Sequence, residues 1–176
     1  MKTLLFIIFS FFCTSFINAK KTYVDATVVD SLDLERYMGV WYELVRFDTW
    51  FEKDVNNVTA VYTLKDNGRV KVENYSTNLQ GQKKKSCGRL KRNKIDNSGK
   101  LRVAFFLWFY SDYNVLEIDE AGYSYVVIGS DDGKFFWVLS RTPTMDYKVL
   151  NTLLRRAERR GYDLRKLVFC AHNESF

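Results

Sequence analysis

The chain has 176 residues, a formal charge of +6, 47% hydrophobic residues and 16% aromatic ones. That length ordinarily makes one domain, and the composition excludes collagenous and disordered classes. The positive charge aids solubility and draws anionic surfaces weakly, but alone it does not indicate nucleic-acid binding.

Lys2 is followed by an apolar run reaching Ile17, and Asn18-Ala19 then precedes Lys20-Lys21. A basic start, an apolar stretch too short for a confident span and a small residue before a polar change predict a cleaved signal peptide over residues 1–19. The mature protein is then expected to be secreted or periplasmic, with an extension at 20–30 and one domain over 31–176. Cys13 follows Phe11-Phe12, whereas acylation signals place small residues there, so an outer-membrane lipoprotein is not expected. Cleavage leaves Cys87 and Cys170. An even pair in an oxidising compartment is a disulfide candidate, the other reading being two free thiols. Closing that loop would contribute about 4 kcal/mol on the chain-entropy model.

Turn signals recur at short intervals from there on: Asp66-Asn67-Gly68, Asp96-Asn97-Ser98-Gly99, Asp119-Glu120-Ala121-Gly122 and Asp131-Asp132-Gly133. Asn-Gly and Asp-Gly supply the positive φ that tight hairpins need, and strands at this spacing predict an antiparallel sandwich or barrel. Alternation places Val58, Ala60, Tyr62 and Leu64 on one face, and Phe135, Trp137, Leu139 and Arg141 on one face of a later strand. The run 101–108 is apolar on both faces after Arg102, which predicts cover outside as well as inside. Past the last hairpin, Val149, Leu150, Leu153, Leu154 and Ala157 repeat at helical spacing, with Thr144 as the expected cap and Gly161 as the stop. The stripe predicts a helix packed on the sheet wall rather than a membrane-surface helix. A short strand over 167–170 brings the count to about nine.

Three ordered motifs carry a family resemblance. Gly39-Val40-Trp41-Tyr42 resembles the Gly-X-Trp-Tyr signature at the first strand of lipocalins. Its continuation through Glu52 is similar to the bacterial lipocalin branch, with apolipoprotein D more distant. Asn114 to Tyr123 resembles the second motif, although Ile118-Asp119-Glu120 stands where many members have Thr-Asp-Tyr. Trp137 to Pro143 resembles the third, and the helix follows in its place. The resemblance implies an all-β fold: an eight-stranded antiparallel up-and-down β-barrel, one C-terminal α-helix packed outside, and a short ninth strand.

It also implies roles. Gly39, Trp41 and Arg141 would form the barrel's closed end, with the Arg141 guanidinium across the Trp41 ring, which is a structural task. Alignment with the apolipoprotein D pattern makes Tyr62, Asn74, Phe105, Trp137 and Leu139 candidate ligand contacts, and Val103 shares parity with Phe105. The expected partner is a small hydrophobic ligand such as a fatty acid or lysophospholipid, stored or carried in the cavity, with a role in cell-envelope maintenance. The loop rings Trp50, Phe51, Trp108, Phe109 and Tyr110 suggest either a lipid-facing rim or a lid. A monomer or weak dimer is expected.

Catalytic signals are sparse. His172 is the single histidine, no His/Cys cluster has metal-ligand spacing, and no Gly-rich phosphate loop is present. No cofactor, no metal and no nucleic acid are expected. Glu43 shares parity with Trp41, which predicts a satisfied internal carboxylate rather than a catalytic acid. Lys83-Lys84-Lys85 reads as a solvated strand edge. The alternative to a binding protein is a lipid-modifying enzyme with Cys87 as a reactive thiol.

Overall fold

The computed structural model describes residues 23–49, 52–92, 97–106 and 109–172. The signal-peptide reading, Cys13, and the rings Trp50, Phe51 and Trp108 lie outside those residues.

Eight antiparallel strands close into a barrel: β1 (Gly39–Phe47), β2 (Val55–Leu64), β3 (Val70–Asn78), β4 (Lys83–Arg92), β5 (Lys100–Phe106), β6 (Phe109–Ile118), β7 (Tyr125–Gly129) and β8 (Phe136–Ser140). Each pairs with the next, and β1 pairs with both β8 and β2 to close the ring. Full closure removes the sheet edges that an open antiparallel sheet would expose. The β1–β2 pairing covers Gly39–Tyr42 alone. Above it β9 (Leu167–Phe169) takes the vacated edge of β1, opposite Val45–Phe47.

Apolar alternation divides the buried residues into two cores. Trp41, Ala60, Tyr62, Val72, Leu90, Leu101, Val115 and Ile128 fill the barrel interior. Val45, Phe47, Leu116, Val127, Phe136 and Val138 face outward against Leu153, Leu154 and Ala157 of the helix α2 (Tyr147–Arg159). Burying Leu153 and Leu154 contributes roughly 1.5–3 kcal/mol each. The expected wall helix is therefore present, but it covers β1 and β6–β8. The outer face of β5 lacks that cover, and Phe106 is 69% exposed. Two-sided apolarity marked the strand without showing where its neighbour lies. Asp146 caps α2 instead of Thr144, its carboxylate accepting from the Lys148 and Val149 amides.

The segment before the barrel is a strap along its outside. Asp25 N–H donates to the Arg160 carbonyl, and Val29 exchanges backbone bonds with Val115 and Gly99. The strap leads into the one-turn helix α1 (Leu34–Tyr37), capped by Asp33, which turns the chain under the barrel.

Candidate ligand-binding cavity

The floor follows from one ring set into one strand. Trp41 points inward from β1, is fully buried, and donates Nε1–H to the Tyr37 carbonyl at 2.8 Å. The Arg141 guanidinium lies 3.8 Å from the centre of its ring. Its N–H groups reach the carbonyls of Val40 and Arg36, both at 2.7 Å. Gly39 has φ +93°, and a Cβ there would sit 3.4 Å from the guanidinium, so glycine serves both the left-handed backbone and the close approach. The three signature residues thus form the closed end, below the cavity rather than in its wall.

Above that plug three phenols are linked. The Tyr113 hydroxyl bonds those of Tyr37 and Tyr62, both at 2.7 Å. Burial pushes all three well above the usual tyrosine range, so they remain neutral hydrogen-bonding groups. Tyr62 and Tyr113 present the top of this layer to the cavity.

The cavity itself has a volume of about 520 Å³, within the roughly 300–1,000 Å³ common for small-molecule sites. Tyr62, Asn74, Val103, Phe105, Trp137 and Leu139 all line it. Their positions follow from register: Leu139 faces Glu43 across the β1–β8 pair, and Trp137 faces Arg46. Gly88 lets the Phe105 ring lie over β4, since a Cβ there would come within 2.7 Å of that ring. Toward the mouth stand Ser76, Lys84, Ser86 and Phe109. Phe109 and the adjacent Phe106 are exposed rather than folded over as a lid.

One wall is polar. A bulge between Glu43 and Val45 shifts the β1 register, so Arg46 joins Glu43 inside although regular alternation would turn it out. Glu43 is 4% and Arg46 2% exposed. Their side chains meet at 3.3 Å, and Arg46 also donates to the Glu52 carbonyl at 2.8 Å and to Cys170 Sγ at 2.9 Å. Glu52 Oε2 accepts from Trp137 Nε1 at 3.2 Å. Burial, together with the neighbouring Glu52 charge and against the Arg46 charge, raises the Glu43 carboxyl well above the ordinary range. Burial raises Glu52 too, against the Trp137 hydrogen bond. Arg46, Glu52 and Tyr113 were not candidates in the sequence. The bulge, the loop position of Glu52 and the phenol triad leave no local pattern.

The expected Cys87–Cys170 disulfide is not formed; both are free thiols. Cys87 is exposed on β4, opposite Glu73, while Cys170 follows β9 and bonds the Leu44 carbonyl through its backbone N–H. Three strand spacings of about 4.8 Å separate β4 from β1 around the wall, whereas a disulfide needs Cα atoms within about 7 Å. Cys87 is not among the residues lining the cavity.

A lipocalin-like domain model matches residues 32–172. The chain belongs to the lipocalin family. Lipocalins bind small hydrophobic ligands. The chain is 38% identical over 144 residues to the outer membrane lipoprotein Blc of Escherichia coli, covering 81% of each chain. It is 28% identical over 146 residues to mouse apolipoprotein D, covering 80% of this chain and 77% of that one. Lobster apocrustacyanin A1 shares the fold at a TM-score of 0.67 and 18% identity, over 84% of this chain and 92% of that structure. The relative's name overturns the expectation that set an outer-membrane lipoprotein aside. That expectation rested only on the bulk of Phe11-Phe12 before Cys13.

Proposed function

We propose that this lipocalin stores or transports a single-chain amphiphile, a fatty acid or lysophospholipid, with the tail in the cavity. The observation that carries the reading is a 520 Å³ cavity, walled by Val103, Ile128, Leu139 and Phe105, above a floor sealed by Trp41 and the phenol layer. Apolar walls favour a hydrocarbon tail at roughly 0.8 kcal/mol per buried CH₂. The serines, Asn74 and the lysines near the mouth supply handles for a head group. The exposed Phe106 and Phe109, with Lys83 and Lys84 on the adjoining strand, suit contact with a lipid surface during loading. Similarity to a protein named for the outer membrane supports a role in cell-envelope maintenance.

Displacement of a fluorescent fatty acid tests the proposal. Micromolar or tighter binding is expected, and Trp137→Ala or Tyr62→Ala should weaken it about tenfold, the effect of losing one buried ring contact. An absence of binding across fatty acids, lysophospholipids and retinoids would overturn it.

A further inference from the structure

The polar wall carries more negative charge than the protein neutralises. Glu43 and Glu52 both line the cavity, and among the described residues Arg46 is the one guanidinium bonded to either carboxylate, that of Glu43. Much of that guanidinium is committed elsewhere, to the main-chain carbonyls of Glu52 and Val55 and to Cys170 Sγ. The other groups around the pair do not supply the missing cation. The His172 ring bonds the Glu43 carbonyl rather than its carboxylate, at 2.8 Å. Cys170 donates to Glu43 Oε1 at 3.2 Å as a neutral thiol, held neutral by burial and by the Glu43 charge. Lys85 is paired outside with Glu73 at 2.7 Å. Lys53 and Lys84 line the mouth without an ion pair to either carboxylate, Asp112 adds a further negative charge there, and Tyr62 and Tyr113 below are neutral phenols. Two carboxylates against one guanidinium leave one charge to be met by a proton or by a ligand.

What surrounds the pair suits a cation. Trp137 is held by its Nε1–H on Glu52 and stacks on Phe135, with ring centres 5.8 Å apart. Aromatic faces beside carboxylates form the arrangement that holds organic ammonium groups. Asn74 Oδ1, elsewhere in the lining, is buried without a hydrogen-bond partner, and it is an acceptor in want of a donor. An anionic head at this height would meet two carboxylates instead.

We propose that the Glu43–Glu52–Trp137 wall is a subsite for the protonated amine of an amphiphile. The proposal rests on the cavity-binding reading and, of the amphiphiles named there, selects one whose head group carries an ammonium over a fatty acid. Binding is then RNH₃⁺ plus one protonated carboxyl of the pair giving an ammonium–carboxylate pair and a released H⁺, so affinity rises as the pH is raised while the amine stays protonated.

The test compares dodecylammonium, dodecanol and dodecanoate on the full chain, below their micellar concentrations, by calorimetry in two buffers of different ionisation enthalpy. Dodecylammonium should bind about tenfold more tightly than dodecanol, the scale of one charge-assisted buried hydrogen bond, and should release protons on binding. Glu52→Gln should bring the two ligands to equal affinity. The proton release is measured on the unaltered protein, so a variant that fails to fold does not decide the matter. Equal binding of all three tails, or proton uptake with dodecanoate as the preferred ligand, overturns the ammonium subsite while leaving the cavity reading standing. Binding of none of the three removes both.

Discussion

The closed end of the barrel and the wall halfway up are both buried and both carry polar groups, yet they treat them differently. At the closed end the Trp41 indole, the Arg141 guanidinium and the hydroxyls of Tyr37, Tyr62 and Tyr113 all find partners within the protein. On the wall, the Arg46 guanidinium pairs with the Glu43 carboxylate and reaches only the main-chain carbonyl of Glu52, and the Arg46 Nε has no partner among the described residues. A matched polar cluster rigidifies, whereas a mismatched one is costly to fold and is retained where it serves something else. The closed end therefore reads as stability, and the wall as the binding role proposed above.

The largest expected effect separates the two directly. Trp41→Ala removes a fully buried ring and the face on which Arg141 rests, and should destabilise the fold by about 3–5 kcal/mol. Trp137→Ala truncates a partly exposed ring at the cavity, and should shift the urea midpoint far less while weakening ligand binding. Equilibrium unfolding of both variants checks this. Equal loss of stability would erase the distinction.

That distinction was only half legible in the sequence. The closed-end residues Gly39, Trp41 and Arg141 came from the resemblance to the lipocalin motifs and not from periodicity or spacing. Alternation also found Ala60, Tyr62 and Leu139 on the inward face, since a period of two survives wherever a strand is regular. It failed where the strand is irregular: the β1 bulge brings Arg46 inside against its parity. Glu52 reaches the cavity from a loop, which has no period to read. The disulfide expectation failed because cysteine number carries no information about distance across a barrel. Cover on β5 failed because apolarity identifies a face without identifying its partner.

A smaller effect sharpens the account of the wall. The Glu43 and Glu52 carboxyls are both raised from the ordinary value of 4.5, first by burial. Between that value and their raised values the native chain holds more protons than the unfolded one. The contribution is therefore fully present below about pH 4.5 and is lost as the pH rises through the raised values. Urea midpoints followed from pH 5 to 8 should show this decline, and it should be absent from a Glu43→Gln, Glu52→Gln protein. An identical slope in both would mean that the pair titrates no differently in the folded chain.

The smallest expected effect is none, and it bears on what holds the two regions together. A covalent tie between β4 and the segment after β9 would brace the wall across the barrel, and its reduction would cost several kcal/mol on the chain-entropy model. With Cys87 exposed on the outer face and Cys170 engaged by Arg46 and Glu43, a reductant has no bond to break. Thermal midpoints with and without dithiothreitol should coincide, and Cys87→Ser should match the parent protein. Thiol titration of the unfolded chain should then find Cys87 and Cys170 both reactive. A midpoint that falls on reduction would mean that β4 is tied to β9, and the polar wall would owe its rigidity to that tie rather than to the hydrogen bonds around Arg46.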